Sequence, residues 1–144
     1  MKVVAIVQAR MGSTRFPKKV MCPIQGRPMI DLLLERLSRS TRIDSIVLAT
    51  SDQSSDDELA SHIQELGYLV TRGSERNVLA GYWRAAQPKC LDVIVWSTGD
   101  CPPIDLRAVD VFIKQLLSGA EYVVPLSLAS NDECLTVPAM WSAL

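Results

Sequence analysis

The chain opens on an uninterrupted apolar run, Val3-Val4-Ala5-Ile6-Val7, and similar runs recur along it. Ser45-Ile46-Val47-Leu48-Ala49-Thr50 and Val93-Ile94-Val95-Trp96 repeat the pattern, with Tyr68-Leu69-Val70-Thr71 as a shorter version. Runs that are apolar at every position, and not only at alternate ones, predict strands buried on both faces. Tyr122-Val123-Val124-Pro125 reads as a fifth strand.

Between these runs the period changes to that of a helix. From Pro28 onward, Met29, Leu32, Leu33 and Leu37 form one apolar stripe, while Asp31, Glu35 and Arg39 stay polar. A second helix is expected over 55–66, with Asp56, Asp57 and Glu58 at its positive end and Gly67 just past its last turn. A third is expected over 75–86, turning Val78, Leu79, Tyr82 and Ala86 inward before Pro88. The fourth, over 105–117, carries Val109, Phe112, Ile113, Leu116 and Leu117 on one face, with Asp105 as its N-cap and Gly119 beyond its end. Strands alternating with helices predict an α/β fold: a mostly parallel sheet with helices on both faces, in three αβα layers. After Pro125 the pattern fades into polar residues over 127–133 and a weak apolar tail over 137–144 without clear period.

Composition narrows the class. The 144 residues suit one domain over 1–144, and 48% apolar content is too high for disorder. Charged residues interrupt each apolar run before it is long enough to span a membrane, and no cleavage pattern follows the first, which reads as a strand and not a signal peptide. A net charge of −1 exerts no general pull on nucleic acid or anionic membrane, so local basic clusters carry more meaning. Cys22, Cys90, Cys101 and Cys134 are scattered, with His62 the single histidine, which suits reduced thiols in a cytoplasm better than a zinc site. His62 is expected at the surface of its helix, and Trp83, Trp96 and Trp141 in packing.

Ligands of open parallel sheets bind at the carboxyl ends of the strands. The segment after the first strand, Gln8 to Lys19, holds Gly12, Ser13 and Thr14 among Arg10, Arg15, Lys18 and Lys19, without one acid. Its backbone N–H groups can form a concave nest, and Arg10, Arg15 and Lys19 can face phosphate oxygens. The alternative is a solvated loop that happens to be basic. Pro17 and Pro23 keep this stretch non-helical, and neither the P-loop nor the dinucleotide glycine pattern is present. After the second strand, Thr50 and Ser51 can read a base or ribose, or cap the next helix, a role that suits Ser54 and Ser55. Arg72 and Ser74 follow the third strand, Arg72 within reach of a phosphate or base and Ser74 also suited to an N-cap. Asp100, beside Gly99 after the fourth strand, is placed to hold Mg²⁺ against a triphosphate, or to close a turn on its own backbone.

In order and spacing, Gln8-Ala9-Arg10-Met11-Gly12-Ser13-Thr14-Arg15-Phe16-Pro17-Lys18-Lys19, Ala49-Thr50-Ser51 with Asp56-Asp57, Arg72-Gly73-Ser74-Glu75 and Thr98-Gly99-Asp100-Cys101-Pro102 resemble a known pattern. They are similar to the cytidylyltransferases of the acylneuraminate and CMP-Kdo synthetase superfamily, closest to the spore coat polysaccharide biosynthesis protein F type, over about residues 2–125. The resemblance implies a nucleotide-diphospho-sugar transferase (Rossmann-like) fold. It implies transfer of CMP from CTP to an acidic, nonulosonic-type sugar for surface polysaccharide, with release of pyrophosphate. Arg10, Ser13, Arg15 and Lys19 would bind the triphosphate, with the cations Arg10, Arg15 and Lys19 catalytic; Ala9 would face the base and Asp100 would hold Mg²⁺. Homodimers are frequent in such families.

The chain departs from the pattern at Asn77 and Gly81, where the family has an acid and an arginine, and at Trp96, where arginine is common. Thr136 and Pro138 stand where further acids are expected, and the family's C-terminal portion is missing from the pattern. Two other functions therefore stay open: a catalytically impaired or truncated nucleotide-binding homologue, and a glycosyltransferase using a nucleotide sugar on the same fold.

Overall fold

The first apolar run occupies the most protected position a strand can have. In the computed structural model, which describes residues 2–74, 92–123 and 139–142, β1 (Val3–Gln8) is paired along both edges. It lies parallel to β4 (Ser45–Ser51) on one side and parallel to β6 (Val93–Thr98) on the other. Between β1 and β4 comes a separate ribbon of β2 (Pro23–Ile24) and β3 (Arg27–Pro28). Its tight turn sets both Gln25 and Gly26 at positive φ, as the twist of a two-residue hairpin demands. β5 (Leu69–Gly73) pairs parallel with β4, and β7 (Tyr122–Val123) and β8 (Ala139–Ser142) complete the sheet in the order β5-β4-β1-β6-β8-β7.

At the centre of the sheet, in β1 and β4, both faces are withheld from water, as the unbroken apolar runs require. Val3, Ala5 and Val7 join Ile46, Leu48, Val93 and Val95 in the larger core, together with residues of α1 (Met29–Ser38), α2 (Asp57–Glu65) and α3 (Leu106–Leu117). Val4, Ile6, Val47 and Ala49 form a second cluster on the opposite face, with Ile94 against it. Polar ties fix the helices to one another. His62 Nε2 lies 2.7 Å from Asp31 Oδ1 between α2 and α1, and Ser40 Oγ donates to Asp110 Oδ1 at 2.7 Å between the end of α1 and α3. His62 is partly exposed, as expected.

Four details differ from the sequence reading. The buried face of α1 is Met29, Ile30, Leu33, Leu34 and Leu37, with Leu32 only partly buried, because α1 packs over a broader surface than a single stripe covers. A 3-10 turn, Ser54–Asp56, precedes α2, so Ser54 and Ser55 lie inside the turn and cap nothing. Another 3-10 turn, Lys19–Met21, interrupts the stretch expected to be wholly non-helical. The tail that showed no period supplies β8, antiparallel to both β6 and β7; four residues are too few for a period to register. Asp105 does cap α3, accepting from the Arg107 amide at 2.9 Å, and Gly67 and Gly119 leave their helices at φ of 86° and 108°. The helix expected over 75–86, with Trp83, Pro88, Asn77 and Gly81, lies outside the described residues, as do Pro125, Thr136 and Pro138. Among the described residues, no helix is long and apolar enough to cross a membrane.

Leu33 is fully buried in α1 against the larger core. Leu33→Ala is expected to destabilise the protein by about 2–5 kcal/mol. Urea unfolding should show a lower midpoint at an unchanged slope.

Candidate functional site

The sheet order places the chemistry. From β1 the chain moves outward through β4 and β5, then returns to the other side of β1 as β6. The loops after the neighbouring strands β1 and β6 therefore emerge side by side at the carboxyl ends of the sheet. There lies a cleft of about 480 Å³. One wall is the basic loop: Ala9, Arg10, Ser13, Thr14, Arg15, Phe16 and Lys19. The other is Thr98, Gly99 and Asp100, and Gln8 and Val20 complete the lining.

The loop keeps its form through one residue, Met11. The Met11 carbonyl accepts from the amides of Ser13 (3.0 Å) and Lys18 (2.9 Å), drawing the loop into a ring. The Met11 amide donates to Asp56 Oδ1 at 2.7 Å, and its side chain is sunk in the core. Ser13 Oγ accepts from the Phe16 amide at 3.3 Å within the ring. Closing it sets Lys18 in the left-handed region (φ 58°), a conformation that disfavours side chains. Lys18 Nζ reaches Glu58 of α2 at 2.9 Å.

Gly99 brings the two walls together. Its amide donates to the Gln8 carbonyl at 2.7 Å, and a Cβ at this position would stand 2.6 Å from Ala9 Cβ and 3.1 Å from the Gln8 oxygen. Only glycine fits that approach. Beside it, Lys19 Nζ lies 3.2 Å from Asp100 Oδ2, and each side chain is a little under half exposed. Partial burial works to raise the Asp100 pKa, but hydrogen bonds from Thr98 and Lys19 and the Lys19 charge outweigh it, leaving the carboxyl below its ordinary value. Asp100 is thus ionised at neutral pH.

Not every candidate converges on the cleft. Ala9, Arg10, Ser13, Thr14, Arg15, Lys19 and Asp100 line it. Gly12 stands next to it with open space around the position of a Cβ. Thr50 and Ser51 are buried at the end of β4 and do not line it. The Ser51 hydroxyl donates to Asp56, whereas the Thr50 hydroxyl has no hydrogen-bond partner among the described residues. Arg72 is tied down: Nε donates to the Ser51 carbonyl at 2.9 Å, one terminal nitrogen to the Gln53 carbonyl at 2.8 Å, and the other meets Asp57 at 2.6 Å. Ser74 is exposed past the end of β5. The sequence reading includes Gln8 and Thr98 in its motifs but gives them no role, although they are partners in the sheet and end the two strands beside the cleft. The last residue of each such strand was the signal for them. It also placed Asp56 in a helical first turn, where the structure makes it the acceptor that holds the loop.

Among the described residues, no three His, Cys, Asp or Glu side chains gather to cage a metal. Asp100 is a single ionised carboxyl on a cation-lined cleft. That donor set fits Mg²⁺ in its usual mode, held by one or two carboxylates with substrate phosphates and water filling the remaining positions. Cys22 and Cys101 are free thiols, as expected.

A cytidylyltransferase from Leptospira borgpetersenii superposes on this chain with a TM-score of 0.88 at 30% identity, covering 99% of this chain and 60% of its own. The fold is thus the Rossmann-like architecture shared with nucleotidyltransferases. Residues 4–136 match the cytidylyltransferase family, and the chain belongs to it. It is 37% identical over 130 residues to the spore coat polysaccharide biosynthesis protein SpsF of Bacillus subtilis, covering 87% of this chain and 54% of that protein. It is 31% identical over 141 residues to the 3-deoxy-manno-octulosonate cytidylyltransferase of Chlamydia pneumoniae, covering 90% and 52%. The chain thus spans little more than half the length of these relatives.

Two outcomes test the geometry. Gly99→Ala is expected to lower the melting temperature, and Ala9→Gly in the same chain to restore part of the loss, since it removes the 2.6 Å contact but not the one with the Gln8 oxygen. Lys19→Met is expected to move the Asp100 pKa upward, because it deletes a hydrogen bond and a charge that favour the ionised form. By linkage, Asp100 contributes stability above its unfolded pKa that is lost as pH falls through the folded one; Lys19→Met should shrink that acid-side contribution. A carboxyl-resolved NMR titration of both proteins reads the shift.

Proposed function

We propose that this chain forms the CTP-binding part of a cytoplasmic enzyme that transfers CMP to an acidic, nonulosonic-type sugar for surface polysaccharide, releasing pyrophosphate. The observation that carries this reading is the facing of Lys19 and Asp100 across the cleft, under a loop with two further cations on its lining. Membership of the cytidylyltransferase family supports the nucleotide, and the names of the Bacillus and Chlamydia relatives support the sugar.

In this reading a sugar hydroxyl oxygen attacks the α-phosphorus, and a new O–P bond forms. The bond to the β-phosphate breaks, its electron pair leaves with pyrophosphate, and the hydroxyl proton passes to solvent. Negative charge grows on the phosphate oxygens and the leaving group, where Arg10, Arg15 and Lys19 stand already fixed by the loop. No covalent nucleophile is needed. Ser13, Thr14 and the Gly12 backbone donate to phosphate oxygens, and Ala9 lies against the base. Asp100 is the residue that would hold Mg²⁺, which supplies charge neutralisation at the phosphates. Arg72 and Ser51 serve the nucleotide from behind, by holding the β4–α2 connection that supports the loop.

Calorimetry with the four ribonucleoside triphosphates, with and without Mg²⁺, tests the binding half. CTP is expected to bind best, and only well with Mg²⁺; Lys19→Ala and Arg15→Ala should each weaken it roughly tenfold or more, the scale of a lost charge-assisted contact. Equal affinity for all four nucleotides would sink the assignment of the base. CTP binding without pyrophosphate release on any acidic sugar would sink the transfer reaction and leave the binding site standing.

A further inference from the structure

Asp56 is the most buried polar side chain in the described core, at 1% exposure, and it has no cationic partner among the described residues. It stands in the N-cap position of α2 yet makes no side-chain cap there. Its acceptor capacity is spent on two other segments. Oδ1 takes the Met11 amide at 2.7 Å, and Oδ2 takes the Ser51 amide at 3.2 Å together with the Ser51 hydroxyl. An acid in a helix's first turn ordinarily serves that helix; this one is turned away from it. Burying such a group is unfavourable unless its hydrogen bonds are made, so the arrangement persists because loop and strand end supply the donors.

Met11 is also the residue on which the loop closes, through the bonds its carbonyl accepts from Ser13 and Lys18. Arg10 comes one position before Met11 and Ser13 two positions after it, and both line the cleft. Fixing one amide therefore fixes the cations and donors on either side of it. We propose that Asp56 is a positioning residue for the nucleotide cleft: it pre-forms the loop through the Met11 amide and never touches the ligand. The inference rests on the CTP-binding reading for its functional consequence, though not for the mechanical one.

The substitutions Asp56→Ala and Asp56→Asn separate the role from general stability. Alanine removes both acceptors. Asparagine keeps one oxygen for the Met11 amide, while its nitrogen can donate to Ser51 Oγ and leaves only the Ser51 amide unmatched. Asp56→Ala is expected to weaken CTP binding with Mg²⁺ roughly ten- to a hundredfold, as removal of a supporting contact commonly does, and Asp56→Asn to recover most of that loss. Ile63→Ala, in the core about two turns along the same helix, is the matched control and should lower the melting temperature without changing CTP affinity. Amide hydrogen exchange gives a readout independent of ligand. Met11 and Lys18 should exchange faster in Asp56→Ala at unchanged protection of Leu48 in β4, whereas Asp56→Asn should expose Ser51 and spare Met11. Unchanged exchange at Met11 in Asp56→Ala overturns the inference. So does a CTP affinity in that variant equal to the parent's, or a loss in Ile63→Ala as large as in Asp56→Ala. A parent that shows the exchange pattern but binds no CTP refutes the nucleotide reading instead. Should Asp56→Ala fail to fold, Asp56→Asn decides alone, by whether Ser51 and not Met11 loses protection.

Discussion

β1 has neither a free edge nor a free face. Hydrogen bonds run to β4 and β6 along its whole length, and core clusters cover both of its surfaces. The buried part of such a strand excludes polar side chains, so chemistry is kept out of Val3 to Val7 and begins at Gln8, the last and only partly buried residue of β1. The same constraint sets the sheet's connectivity. With β1 central and both neighbours parallel to it, the loops that follow β1 and β6 emerge at the same end of the sheet, and the cleft lies between them. The basic loop follows β1 directly because that is the first place where charge is tolerated.

Placing charge there carries its own cost. Four cations lie within ten residues, and the loop turns tightly enough to hold Lys18 at positive φ. The surroundings offset this in three ways. Glu58 meets Lys18, Asp100 meets Lys19, and the buried carboxyl of Asp56 holds the Met11 amide. Each anchor comes from a different element: α2, the loop after β6, and the turn before α2. Loop geometry is therefore a tertiary property, supported from outside its own sequence.

This division explains what could be read from the sequence. Apolar runs reported the strands and their two-sided burial, because continuous hydrophobicity has one economical explanation in a chain of alternating elements. The loop and Asp100 were legible as well, since ligand sites in such sheets sit at strand ends. Other features depend on partners remote in sequence and were not legible. Asp56 carries the composition of a helix start, and nothing local reveals that its carboxyl turns to Met11, forty-five positions away. Arg72 has the look of a phosphate ligand, but two main-chain carbonyls and Asp57 engage it. Leu32 and Ile30 exchange importance because sheet packing, not helical period, decides how wide the buried face of α1 becomes.

The contact between Lys19 and Asp100 shows why the cleft suits an exchangeable ligand. Both side chains are close to half exposed, and pairs of this kind contribute only about 0–1 kcal/mol because water and salt screen them. That is enough to orient two charges and too little to lock them. In the proposed reading, a polyanion entering the cleft would take over Lys19, and the freed Asp100 carboxyl would be left to hold a divalent cation. The deeper contacts behave differently. The bond from Met11 to Asp56 is buried, and Gly99 is wedged against Ala9 with no room to adjust. Rigid scaffold and loosely paired charges are thus separated in space: the frame that defines the site is buried, while the groups that must change partners stay in contact with water.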